Sequence, residues 1–145
     1  MRKLIWLITG SLFLISCNSK SDHQTSDTAI IMQDSSSDLT LNNGQQWFVN
    51  EEMKPFIEAG EQLIDTYLQS DTQDYQSLAA QLKEQNDRLI KSCTMTGESH
   101  EALHQWLHPH LVLVSDLAKA DNRQQADTLV QQLKQSFGTF HKYFR

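Results

Sequence analysis

The sequence predicts an all-α fold, an antiparallel up-down-up-down four-helix bundle with a short N-terminal hairpin or strap. Three observations predict it. Apolar residues recur at spacings of three and four through four successive segments between residues 50 and 145. Asn or Asp stands where three of those segments open. The connections between segments are short, which forces neighbouring helices to run antiparallel. The chain has 145 residues, 39% hydrophobic and 21% charged, with five glycines and two prolines, a length and composition that fit one globular domain.

The domain is expected over residues 39–145, with helices near 51–70, 72–93, 98–120 and 122–144. Asn43-Gly44 lies between Leu39, Leu41 and Trp47, Val49, the pattern of a hairpin with a type I′ turn. A two-stranded hairpin is marginal alone, so this segment must pack on the helices through Trp47, as a hairpin or as an irregular strap. The first helical stripe is Phe56, Ile57, Gly60, Leu63, Ile64, Tyr67 and Leu68, with Asn50 as cap and Pro55 in the opening turns. The second opens at Asp71, with Asp74 three residues on, and runs through Leu78, Leu82, Leu89, Ile90 and Cys93. The third carries Leu103, Leu107, Leu111, Val114, Leu117 and Ala118, with Pro109 predicting a kink or a break near His108. The fourth starts at Asp121, with Gln124 at the capping-box position, and buries Ala126, Leu129, Val130, Leu133, Phe137, Phe140 and Phe144.

Residues 1–17 read MRKLIWLITGSLFLISC. Arg2 and Lys3 precede an apolar run from Leu4 to Ile15. Twelve helical residues rise only about 18 Å against a hydrocarbon core of about 30 Å, so the run reads as a signal peptide rather than a span. Leu14-Ile15-Ser16-Cys17 resembles the lipobox of bacterial lipoproteins. That resemblance implies cleavage before Cys17, acylation of Cys17, and membrane contact through the lipid. Residues 1–16 are then the signal peptide and 17–38, rich in Ser, Asp, Thr and Asn, a lipidated flexible tether. Asn18 in place of Asp favours the outer membrane under the lipoprotein sorting rule, facing the periplasm or exposed at the surface. With Arg2 and Lys3 removed, ten basic residues face eighteen acidic ones, a net charge of −8 against −6 for the whole chain. Such a balance argues against nucleic acid as a partner. Acylation of Cys17 leaves Cys93 as the lone thiol, so no internal disulfide forms.

Five histidines fall at 100, 104, 108, 110 and 141. At about 100° per residue, the third apolar stripe centres near 320° when His100 is set to zero. His100 then lies at its edge, His104 farther out, His108 toward solvent, and His110 on the opposite border. Folding back near residues 120–121 levels His100 with His141, and folding back near residue 71 levels Met53 with Leu89 and Ile90. Met53, Cys93, Met95, His100, His104 and His141 are therefore expected at one end of the bundle. Imidazole, thiolate and thioether together suit copper or zinc. The predicted metal site uses His100, His104 and His141, completed by Cys93 or Met95. Each member also has a plainer reading, Cys93 as a core thiol and His141 as a helix C-terminal cation.

Met53 near the start of the first helix and His141 near the end of the last give a layout similar to the four-helix b-type cytochromes. That similarity implies axial ligation of a haem by Met53 and His141, ranked below the simple metal site. A Cys-x-x-Cys-His attachment motif is absent from the sequence, as are the phosphate-binding loop, the G-x-S-x-G elbow and His-Glu-x-x-His. The expected function is thus a non-enzymatic envelope lipoprotein that binds a transition metal. The rival expectation is an interaction or structural lipoprotein whose histidines are incidental.

Overall fold

The computed structural model describes residues 39–145. The expectations for residues 1–38, including the signal peptide, the tether and Cys17, lie outside the described residues. A 3-10 turn over Glu51–Met53 leads into α1 (Lys54–Gln69), followed by α2 (Tyr75–Ser92), α3 (Glu98–Ala118) and α4 (Arg123–Tyr143). Consecutive helices pack on one another and α4 returns against α1, so the four close into a bundle. No β-sheet occurs among the described residues.

The N-terminal segment is a strap that carries a tight turn. Asn43 and Gly44 both take positive φ, 50° and 83°, as a type I′ turn requires. Asn42 and Gln45 close the turn with reciprocal backbone bonds of 2.8 and 2.9 Å. Beyond it the chain pairs with the C-terminus instead of with itself. The Trp47 N–H donates to the Tyr143 carbonyl at 2.8 Å, and the Arg145 N–H donates to the Trp47 carbonyl at 2.9 Å. The Val49 N–H adds a third bond to Arg145 at 3.1 Å. Leu39, Val49 and Phe144 are buried by this pairing and join the core.

α3 starts at Glu98 as expected, while the other three helix starts depart from expectation by one to three residues. Asn50 does not cap with its side chain. Its amide donates to the Ser92 carbonyl at 3.0 Å and accepts from the Thr94 N–H at 3.2 Å, which ties the first turn to the end of α2. Asp74, not Asp71, caps α2 by accepting from the Ser77 N–H at 2.9 Å. Asn122 caps α4 through the Gln125 N–H at 3.0 Å, while the Gln125 side chain accepts from the Asp121 N–H at 3.0 Å. The capping pattern is therefore present but sits one residue later. Pro109 neither breaks nor ends α3, which runs unbroken from Glu98 to Ala118. Pro109 leaves the Gln105 carbonyl without its usual donor, and Gln105 is exposed, so water can supply one.

The core follows the predicted stripes most closely in α4, where all seven positions are buried. Gly60 lets α1 approach α4, since a Cβ there would meet the Phe137 ring at 2.8 Å. Leu68 and Ile90 were expected inward and are exposed. Trp106 and His110, outside the predicted stripe of α3, are buried. The buried residues of α3, Ala102, Leu103, Trp106, Leu107, His110, Val114 and Leu117, centre near about 280°, the bearing of His110 itself.

Candidate functional site

The helical period sets the site. His100, His104 and His108 fall four apart on α3, so their Cβ atoms lie one above another on a single face. Their rings form a ladder. His104 Nε2 shares a hydrogen bond with His100 Nε2 at 3.0 Å, and His104 Nδ1 shares one with His108 Nε2 at 3.1 Å. Successive rings meet edge to face, with centroids 4.5 and 4.9 Å apart. His104 and His108 are exposed and His100 is half-buried. Partial desolvation, followed by the charges that His100 and His108 can carry, holds the His104 imidazole below its ordinary range. Val112 continues the same row one turn later, 57% exposed.

Each contact in the ladder needs one nitrogen to donate and the other to accept. With all rings neutral, His104 donates to one neighbour and accepts from the other. One added proton turns His104 into a double donor and keeps both bonds. A second added proton must break at least one. The ladder is thus built to hold a single extra proton, shared among coupled sites.

This geometry overturns the metal site predicted for His100, His104, His141, Cys93 and Met95. Among the described residues, no group of three or more His, Cys, Asp or Glu side chains is placed to hold a metal ion. The reason lies in direction. His104 turns its two nitrogens to opposite neighbours, so the three rings form a chain and their lone pairs do not converge on a point, as a tetrahedral shell demands. His141 is engaged on another seam, where its Nε2 lies 2.9 Å from Glu61 Oε2 on α1. Cys93 and Met95 are half-buried and pack against the core. Copper and zinc are accordingly withdrawn as cofactors, and the metal ion as a partner. Haem is withdrawn with them. Met53 is 1% exposed inside the core, whereas the His141 side chain is 53% exposed and paired with Glu61. An axial pair must reach one iron together, whereas Met53 is enclosed in the core and the His141 ring is held at the surface by Glu61. As to a membrane partner, no described helix is long and apolar enough to cross a bilayer.

At the bundle end that holds the strap, Asn50 meets Ser92 and Trp47 lies beside Phe144. A second histidine environment, which the spacing did not reveal, lies only two residues beyond the end of the ladder. His110 has no exposed surface. Its ring stacks on Trp106 with centroids 4.9 Å apart and meets the edge of Phe137 at 4.9 Å. His110 Nδ1 shares a 2.9 Å hydrogen bond with the Ser136 hydroxyl, while Nε2 has no partner among the described residues. Burial pushes the imidazole down to about 4. Trp106 Nε1–H donates to the Ser136 carbonyl at 2.8 Å, so one residue of α4 holds two core side chains of α3. The available signal was Trp106 itself, which shares a face with His110 at a spacing of four. Compared with family models, with curated proteins and with solved structures, the chain finds no match in any of the three.

Proposed function

We propose that this chain is a lipid-anchored protein of the bacterial cell envelope whose helical domain serves as a non-enzymatic interaction module. The observation that carries the address is the order of residues 1–17. Positive charge at Arg2 and Lys3, an apolar run too short to span, and Leu14-Ile15-Ser16-Cys17 follow one another as lipoprotein export requires. Asn18 favours the outer membrane. Each methylene of an acyl chain contributes about 0.8 kcal/mol of membrane affinity, so several chains on Cys17 make a durable anchor. For the domain, support comes from where its uncommitted side chains point. The core is filled by apolar side chains from all four helices, while His104, His108, Val112 and Phe48 are exposed. A filled bundle of this kind works through its exterior.

The test is Cys17→Ala in the expressing bacterium, read by lipid labelling and by membrane fractionation. Loss of both supports the anchor, and persistence of either overturns it. For the module, a photo-crosslinking residue at Val112 is expected to form a protein adduct in intact cells, where one at Lys83 on α2 forms none. Equal adducts at both positions would remove the outward α3 face as the contact surface.

A further inference from the structure

His110 is the imidazole that the ladder does not explain. Its ring lies between Trp106 and Phe137, without exposure, at the seam of α3 and α4. Among the described residues, its single polar contact is the Ser136 hydroxyl at 2.9 Å, and Nε2 meets no partner. A neutral imidazole tolerates this slot, because one nitrogen is served by Ser136 and the other is left bare. The imidazolium carries N–H groups on both nitrogens. Ser136 can satisfy only one, which leaves a charged donor facing aromatic carbon. A buried ion without a partner is among the costliest things a core can hold.

Among the described residues, no charged group acts on it. On α4, Lys134 is paired with Asp65 and His141 with Glu61, both bonds reaching to α1 at the surface. On α2, Lys83 pairs with Asp87 and Arg88 with Glu84. On α3, His108 is turned to His104. Burial alone acts on His110, and no charged group shifts it from any packed element. Proton uptake and occupation of the slot therefore exclude each other.

We propose that His110 is an acid-operated latch on the α3–α4 seam: a proton taken from solvent expels its ring from between Trp106 and Phe137 and releases the C-terminal half of α4 from α3. Two features make the release local. Ser136 loses its bond to His110 and is strained in its bond to Trp106 together, since one residue serves both. Phe140 and Phe144 stack on each other and tilt against Trp106, so they move with it, and the strap at Trp47 is bonded to Tyr143 and Arg145. Above about pH 4 the proton enters the open form. The open-to-closed ratio consequently rises about tenfold for each pH unit below the ordinary imidazole value of about 6.5, until the closed form can itself be protonated. This inference does not depend on the lipid anchor.

The experiment is a titration of the full chain in detergent micelles from pH 8 to pH 4, followed by near-UV and far-UV circular dichroism and by NMR of 13C-labelled histidine. The expected result is a reversible loss of near-UV signal with helical signal retained, and a His110 resonance that stays neutral until that loss. His110→Phe fills the slot without a titratable group and should lower the midpoint by at least one pH unit. Triple replacement of His100, His104 and His108 by Gln should leave the midpoint in place. The latch is overturned if His110→Phe keeps the wild-type midpoint, or if the wild type shows no transition above pH 4. Should His110→Phe fail to fold, the wild-type NMR decides. A His110 ring that titrates near its ordinary value while the near-UV signal persists rejects the latch.

Discussion

His108 and His110 are separated by one residue on α3, and their surroundings give the same side chain opposite chemistry. His108 ends a ladder of rings in water, where a proton moves among neighbours that can each accept or donate it. His110 stands alone in aromatic carbon, where its spare nitrogen has nothing to bond and its charge nothing to balance it. The ladder absorbs a proton with both bonds intact, whereas the buried ring cannot absorb one and stay. The difference teaches that a cluster of histidines is not one functional unit merely because the residues are adjacent in sequence. Bearing around the helix divides them, and Pro109 between the two does not disturb that bearing, since α3 continues through it.

The comparison can be broken or sharpened by experiment. The largest effect is expected from Trp106→Ala, which removes one wall of the His110 slot and should cost about 3–5 kcal/mol in urea unfolding at pH 7.5. A cost below 1 kcal/mol would mean the slot is not the packed site described. Next in size is pH itself. The folded His110 value of about 4 lies below the value near 6.5 of the unfolded chain, so the unfolded chain binds the proton first. Stability from this group is fully present above about pH 6.5 and is lost as pH falls toward 4, to a total of about 3 kcal/mol. His104, also lowered, pulls in the same direction by a smaller amount because it is exposed. Unfolding curves at pH 7.5, 6, 5 and 4 measure the loss, and a flat profile contradicts it. Ser136→Ala leaves His110 without any polar partner and should cost about 1–3 kcal/mol at pH 7.5. The smallest effect belongs to the ladder. His104→Ala should change stability by less than about 0.5 kcal/mol, yet it should remove both ring-to-ring hydrogen bonds, read by NMR as loss of the 15N–15N couplings between histidine rings. If a coupling between the rings of His100 and His108 persists, His104 is not the link.

Much of the architecture was legible in the sequence because periodicity and antiparallel folding are local rules. All seven α4 stripe residues are buried, and the meeting of Asn50 with Ser92 follows from folding α1 back on α2. The turn at Asn43-Gly44 was legible because both residues tolerate positive φ. What escaped was bearing and convergence. Counting Leu111 and Ala118 in the α3 stripe and leaving out Ala102, Trp106 and His110 displaced its centre by about 40° and put His110 at the rim. Spacing of four brings rings together along one row, but it does not say whether their lone pairs meet at a point. That is why His100 and His104 satisfied the metal pattern and still make a hydrogen-bonded chain. Level height also failed as a guide for His141, whose bond runs to Glu61 on α1 instead of toward α3. The buried Asn86 was invisible for a related reason, since a polar residue inside an apolar stripe reads as a gap.

The bonding of the strap to residues 143–145 has a consequence for the order of assembly. The α1–α2 hairpin is local, and its contacts can form while synthesis continues. Trp47 and Val49 have no backbone partners until Tyr143 and Arg145 have been made, almost the whole described domain later. The segment nearest the start of the domain is thereby among the last to be seated. Until then Leu39, Val49 and the Trp47 ring stay uncovered, a delay during which a nascent chain depends on its handlers rather than on its own core.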